Sequence, residues 1–276
     1  LESFLVEVIQ YITQKVIEDK HSPLRGEKKI MDQLIKQNRR LLLASGGISN
    51  EDRLTAWQNA LKDFLKEGTE ILFVPYAIKD YDSSVSRLRE YKFFGDFNIV
   101  GIHTFNDPVK AVEDAEAVFV SGGNSFRLLS KLYETGLVEA LRKHVAAGKP
   151  YMGASAGSNM SCPTMMTTND MPIMMPPSFD SLGLIPFQIN PHYMDGRVYL
   201  KKGDEYVPHS GETRDIRLNE YHEENDLPIL GLREGEVLRV EGDKARLCGI
   251  RGAKLFKKGE EPVEVSEGSD VSFLFA

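Results

Sequence analysis

The sequence predicts an α/β protein built on a mostly parallel sheet with helices on both faces, and three observations carry that prediction. Short apolar runs of strand length alternate with amphipathic segments along most of the chain. Several of those runs stop directly at glycine or serine. The composition, 41% hydrophobic and 27% charged over 276 residues, is that of an ordinary globular chain. At this length folding buries about 73% of the surface the unfolded chain exposes, enough for a sizeable core.

The first 38 residues are organised differently from the remainder. Apolar Leu1, Leu5, Val8, Ile9, Ile12 and Val16 recur at spacings of three and four, which predicts an amphipathic helix. Glu2 and Glu7 are wrong for a secretory or transit leader. HSPLRGEKK (21–29) reads as a linker, and a second short helix over residues 28–38 places Met31, Leu34 and Ile35 on one side. Residues 1–38 are therefore expected to form a helical extension and 39–276 the main domain. The arm's expected uses are packing on its own domain, contacting a partner, or pairing two copies as a homodimer.

In the body, LLLAS (41–45) is the first strand, and Ser49 opens an S-x-x-D approximation to a capping box for a helix over 51–66. ILFVP (71–75) is a strand, 83–94 a helix and NIVGI (98–102) the next strand. Asp107-Pro108 supplies an N-cap and a first-turn proline for a helix through Ala115. AVFVSGGN (117–124) runs from strand into glycines, helices follow over 125–134 and 137–147, and PYMGA (150–154) is the last strand of the series. Near the carboxy terminus, GEVLRVEGDKARLCG reads as a hairpin through Gly242-Asp243, finishing the sheet or adding a small antiparallel one. KKGEE (257–261) reads as a solvated turn. Ligands gather beyond the carboxyl ends of such strands, which singles out Gly46, Tyr76, Gly123 and Ser155.

Composition excludes several classes. Lys plus Arg is 34 against 41 Asp plus Glu, a net charge of −7, so no nucleic-acid partner is expected. No apolar run reaches the roughly 18 residues of a membrane span. Cys162 and Cys248 make neither a disulfide scaffold nor a paired metal motif, which points to a reducing, cytoplasmic setting; no cofactor is expected.

Three segments carry chemistry. GASAGSN (153–159) fits G-x-S-x-G, in which small residues flank a serine on a tight strand-to-helix turn, with the Ala156 N–H aimed where an oxyanion forms. FQINPHY (187–193) places His192 at a strand end as a general base for Ser155; His103, His144, His209 and His222 are weaker candidates. VSGGN (120–124) offers backbone N–H groups to a ligand, but neither G-x-G-x-x-G nor a following G-K-S/T accompanies it, so a nucleotide site is unsupported. A triad needs an acid to hold the histidine, and Asp170, Asp180 and Glu234 all satisfy the spacing.

AVFVSGGNSFRLL, YMGASAGSNM, TTNDMPI, PPSFDSLGLIPFQINPHY, GETR and GLREG, taken together and in this order, resemble the peptidase E (α-aspartyl dipeptidase) family from about Arg40 to Gly252. The resemblance implies a flavodoxin-like three-layer sandwich similar to the class I glutamine amidotransferases. It also implies a serine peptidase that cleaves Asp-Xaa dipeptides, small-molecule substrates, without a metal. By motif, Ser155 is the nucleophile, His192 the base and Glu234 the acid, a chain order unlike that of the α/β-hydrolases. Gly123 and Ala156 match the oxyanion-hole positions, and Arg214 matches the arginine that binds the substrate carboxylate. Asp170 matches an essential aspartate that holds the active-site loop or the substrate amine, and Asn124 is carried with the SGGN segment as a substrate-binding residue. The family's tryptophan before the serine and alanine after the second glycine are here Ala154 and Ser158. The ASGG turn after the first strand also departs from many relatives. The segment 162–175 is rich in methionine (Met165, Met166, Met171, Met174, Met175), which suits a flexible lid or core filler. The alternatives are a cyanophycinase-like exopeptidase acting on aspartate-arginine polymer, or a non-catalytic binding protein that uses the arm.

Overall fold

A computed structural model describes residues 23–46, 50–196 and 199–276. The expected helix over 1–17 and residues His21 and Ser22 of the expected linker lie outside the described residues. The chain is already helical at Pro23, so the linker reading fails from there. Helix α1 spans Pro23–Asn38, and proline is compatible with a first turn because it lacks only an N–H that has no partner there. Ile35 is buried and Met31 packs beside it, whereas Leu34, expected on the same side, is 39% exposed.

The body follows in order. Strand β1 is Arg40–Ala44, α2 Glu51–Lys62, β2 Ile71–Val74, α3 Tyr81–Glu90, β3 Ile99–Gly101, α4 Pro108–Asp114 and β4 Ala117–Val120. Next are α5 Ser125–Glu134, α6 Leu137–Ala146, β5 Tyr151–Ala154 and the short α7 Ala156–Met160. The remainder is β6 Gln188–Tyr193, β7 Tyr199–Lys202, β8 Glu205–Pro208, α8 Arg214–Glu224, β9 Ile229–Arg233, β10 Val237–Glu241, β11 Lys244–Leu247, β12 Ala253–Phe256 and β13 Val263–Val265.

Helix starts follow local chemistry. Side-chain oxygens of Asn50, Asp80, Asp107, Asn124 and Thr213 each accept the N–H three residues on, capping α2, α3, α4, α5 and α8. The cap of α2 is thus Asn50 rather than the expected Ser49. That helix stops at Lys62 instead of 66 because the N–H groups of Phe64 and Leu65 both turn back to the Leu61 carbonyl. Helix α3 starts and stops earlier than the sequence suggests, between the Asp80 cap and Lys92, which takes a left-handed φ of 48°.

The main sheet has the order β11-β10-β1-β5-β4-β2-β3. Its five strands from β1 to β3 are parallel, and the β10–β11 hairpin adds two antiparallel strands beside β1. The central strands β2, β4 and β5 are buried at every residue, which is why their sequences read as unbroken apolar runs. On one face, Trp57 and Leu61 of α2 and Val85 of α3 pack with Phe93 and Phe94 against Phe73 and Phe119. On the other, residues from α1 and α4–α7 form a second core with a smaller sheet of order β13-β12-β9-β6. The carboxy-terminal strands therefore do both things expected of them, β10 and β11 extending the main sheet and β12 and β13 building the smaller one. Helix α1 is tied to α6 by the Arg142–Asp32 ion pair and a 2.7 Å bond from Asn38 Nδ2 to the Ala146 carbonyl. Among the described residues no helix is long and apolar enough to cross a membrane.

Candidate active site

The two sheets bring three loops to one place. Strand β5 ends at Ala154, and the chain turns through Ser155 into α7. Ser155 has φ 54° and ψ −113°, a conformation rare for any residue with a side chain. The surrounding backbone holds it there: the Ser155 N–H donates to the Ala44 carbonyl at 3.1 Å. A Cβ on Gly157 would lie 2.0 Å from the Val120 carbonyl oxygen, and one on Gly153 would lie 2.6 Å from that of Gly157. Glycine is therefore required at both positions. Ser158, a departure from the family pattern, is fully buried with its hydroxyl 2.7 Å from the Ala44 carbonyl and 3.1 Å from that of Gly153. It ties the turn to β1.

His192 comes from the end of β6 and Glu234 from the residue after β9, so both belong to the smaller sheet. His192 Nε2 lies 2.7 Å from Ser155 Oγ, and its Nδ1 is hydrogen-bonded to Glu234 Oε1. The second Glu234 oxygen faces Arg53 Nη1 at 3.3 Å. The His192 hydrogen bond holds the Glu234 carboxyl below its ordinary pKa of 4.5, with the nearby His192 and Arg53 charges adding to the effect against burial. An ionised Glu234 accepts the Nδ1 proton, which leaves Nε2 as the acceptor for the serine hydroxyl. Of the three acids the spacing allowed, Glu234 is the one on the histidine. Asp170 is bonded elsewhere, and Asp180 is exposed in a bridge to Thr164.

Two backbone N–H groups near the serine have no partner among the described residues, that of Ala156 directly after it and that of Gly123, which follows Gly122, where a Cβ would lie 2.9 Å from Ser155 Cβ. Ala156 is the first residue of α7, so its N–H has no intrahelical partner. Gly123, at φ 136°, donates to no acceptor among the described residues, and a Cβ there would strike the Ala77 carbonyl oxygen at 2.6 Å. The neighbouring Asn124 N–H donates to that same oxygen at 2.9 Å.

The Asn124 side chain caps α5 and donates to the Met171 carbonyl at 2.8 Å, so both ends of its amide are engaged within the protein. Asp170 Oδ2 accepts from the Ser125 N–H at 2.7 Å and the Ser125 hydroxyl at 2.6 Å. The loop bearing Asp170 is pinned to β6 as well: Thr167 donates to the Ile189 carbonyl and Asn169 to that of Pro191. Within this loop Met165 is buried, while Met166, Met171, Met174 and Met175 are exposed. Arg214 starts α8 beside a cavity of about 230 Å³ shared with Met194, His209 and Arg217. Among the described residues no carboxylate pairs with it. Burial lowers its pKa and Arg217 adds to that, while the Asp170 charge opposes both.

Four contributors escaped the sequence reading. The Ser45 hydroxyl donates to the Leu232 carbonyl at 2.8 Å and accepts the His192 N–H at 2.9 Å. Gly46, singled out only as a strand-end position, lies against the His192–Glu234 pair. Arg53 holds Glu234, and Ser125 holds Asp170. The only signal for the first two was their place directly after β1. Among the described residues there is no cluster of three histidines, cysteines or acids able to hold a metal ion.

Comparison with known proteins identifies a peptidase family. The sequence profile described as "Peptidase family S51" matches residues 41–248. A "Peptidase E" of Streptomyces coelicolor is 51% identical over 234 residues, covering 85% of this chain and 93% of that protein. A "Probable alpha-aspartyl dipeptidase" of Drosophila melanogaster is 43% identical over 237 residues, covering 85% and 96%. Two solved structures share the fold. A putative peptidase E protein from Listeria monocytogenes superposes with a TM-score of 0.55 at 20% identity, over 76% of this chain and 98% of that one. A peptidase from an acI-B1 actinobacterium gives 0.58 at 18% identity, over 86% and 99%. The chain belongs to peptidase family S51 and is an enzyme, a serine-type peptidase.

Proposed function

We propose that this enzyme is a dipeptidase that hydrolyses Asp-Xaa through an acyl-enzyme on Ser155, with His192 and Glu234 completing a triad. The observation that carries the proposal is the hydrogen-bonded order Ser155 Oγ, His192 Nε2, His192 Nδ1, Glu234 Oε1. Ser155 Oγ attacks the scissile carbonyl while His192 Nε2 takes its proton. The N–H groups of Gly123 and Ala156 receive the negative charge that develops on the carbonyl oxygen. The tetrahedral intermediate collapses as His192 returns the proton to the leaving amine. Water, activated by the same histidine, then releases aspartate.

Arg214 is assigned to the substrate's side-chain carboxylate, for which its half-buried guanidinium, unpaired among the described residues, is suited by charge and forked geometry. Asp170 is assigned to fixing the loop over α5. Its bonds to Ser125 support that role over binding of the substrate amine. The catalytic unit is assigned to residues 39–276, with 1–38 as an appendage.

The test is steady-state hydrolysis of Asp-Leu against Asn-Leu, Glu-Leu and β-Asp-Leu, for wild type, Ser155→Ala and Arg214→Ala. The expected result is cleavage of Asp-Leu alone, lost in Ser155→Ala. In Arg214→Ala the preference for Asp over Asn falls by about a hundredfold or more. Unchanged hydrolysis by Ser155→Ala overturns the serine mechanism, and retained discrimination in Arg214→Ala moves the carboxylate site elsewhere.

A further inference from the structure

We infer that the cavity beside Ser155, under helix α3, is the subsite for the leaving residue, and that it selects a bulky apolar side chain on a free carboxy-terminal residue. The inference rests on the dipeptidase reading and names the part of the substrate which that reading leaves open. The cavity holds about 380 Å³, and its lining runs from Ser155 and Gly122 to Phe73, Phe119, Leu88 and Tyr91. That size and aromatic character match small-molecule sites, which combine apolar walls with a few convergent polar groups.

Ala154 opens this space. It is the last residue of β5, adjoins the nucleophile and turns its methyl toward the α2–α3 face of the sheet. A large side chain there would occupy the cavity; alanine leaves it to a ligand. Two polar residues line the space. The Ser121 hydroxyl is buried without a hydrogen-bond partner among the described residues. The exposed Arg87 guanidinium reaches only the Ser84 hydroxyl, at 3.4 Å, and pairs with no carboxylate among the described residues. A cation at the rim suits a terminal carboxylate.

The side of the sheet identifies the occupant. Arg214, assigned to the acyl residue, starts α8 near the charge of Asp170, whose loop is bonded to α5, and α5 packs on the opposite face from α3. The His192–Glu234 pair leans on Arg53 of α2, the helix that shares a face with α3. The cavity therefore opens at Ser155 on the face of the sheet opposite to α5 and its Asp170 loop, which leaves it to the leaving residue.

The experiment measures kcat/KM for Asp-Phe, Asn-Phe, Asp-Leu, Asp-Ala and Asp-Phe amide with wild type, Ala154→Trp, Leu88→Trp and Arg87→Ala. Wild type is expected to favour Asp-Phe over Asp-Ala by about tenfold or more, the range one or two buried methylenes provide. Either tryptophan, filling the cavity from opposite walls, collapses that ratio toward one. Arg87→Ala brings Asp-Phe down toward its amide. Cleavage of all the dipeptides without preference overturns the subsite alone. So does an unchanged ratio in a folded tryptophan variant. Loss of Asp-over-Asn discrimination in Arg87→Ala would put the acyl side chain in this cavity and refute the assignment. No cleavage of any dipeptide overturns the dipeptidase reading and this subsite with it.

Discussion

Gly46→Ala isolates the geometry of the histidine from the chemistry of the proposed triad. A Cβ at this position would stand 2.4 Å from His192 Cε1 and 2.7 Å from both His192 Nδ1 and Glu234 Oε2. Ordinary contact begins near 3.4 Å, so the imidazole must retreat by about 1 Å. Its Nε2 starts 2.7 Å from the serine oxygen, and a retreat of that size takes the pair out of hydrogen-bond range. Misplacement by about 1 Å lowers rate by about a hundredfold. The backbone at Gly46 has no left-handed φ, so alanine brings no conformational strain there and the fold should persist. The expected outcome is kcat for Asp-Leu down about a hundredfold, with KM and melting temperature near wild type. The rate of Ser155 modification by a serine-reactive phosphonate should fall in parallel, a readout that needs no assumption about the peptide. Activity and labelling within threefold of wild type would refute the reasoning, because the histidine would then have room the structure denies it.

The remaining expectations concern charge and core. Glu234→Gln cannot accept the Nδ1 proton in the same way, so kcat should fall by about a thousandfold or more at neutral pH while the fold persists. Because Glu234 titrates lower in the folded chain than its ordinary 4.5, its contribution to stability is present above that pH. It disappears as pH falls through the depressed native value, so melting curves of wild type and Glu234→Gln should converge on acidification. A difference that grows toward low pH would contradict this. Trp57→Ala removes a fully buried ring whose centroid lies 5.1 Å from Phe93 and 5.9 Å from Phe94. The variant should lose about 3–5 kcal/mol, measured by urea unfolding. A loss below about 1 kcal/mol would mean that the aromatic cluster refills the space.

How much of this was legible depended on whether the signal was local. The parallel strands could be read because burial on both faces demands continuous apolar runs, and ILFV, AVFV and LLLA have no other reading at that length. The Ser155 turn, with its left-handed φ, could be found because such a turn needs small residues within two positions of the serine, all in one short motif. His192 and Glu234 are farther off in sequence, and their partnership depends on how a second sheet docks on the first. Spacing alone left Asp170, Asp180 and Glu234 open for that reason; the motif resemblance selected Glu234. Helix ends moved by a few residues where caps compete, as at Ser49 and Asn50. Gly46, Ser45 and Arg53 were invisible as functional residues because each acts through a neighbour that only the tertiary fold supplies.

Ser45 shows what that dependence means for the enzyme. The serine comes from the main sheet and the histidine and glutamate from the smaller one, so alignment rests on the junction between sheets. Ser45, fully buried at the end of β1, spans it with one hydroxyl, donating to the Leu232 carbonyl of β9 and accepting the His192 N–H of β6. His192 has φ 54°, a conformation that persists only where surrounding contacts over-determine it. Ser45→Ala removes the acceptor for the His192 N–H and a donor to Leu232, at a cost of about 1–3 kcal/mol for each group left unsatisfied. It adds no bulk, in contrast to Gly46→Ala, so its effect must come from lost positioning. The expected result is lower stability together with a fall in kcat at little-changed KM, and Ser45→Thr, which keeps the hydroxyl, should recover more of the rate than alanine. If alanine lowers stability but leaves kcat intact, the histidine is held by its side-chain bonds alone, and the junction is structural without being part of the catalytic alignment.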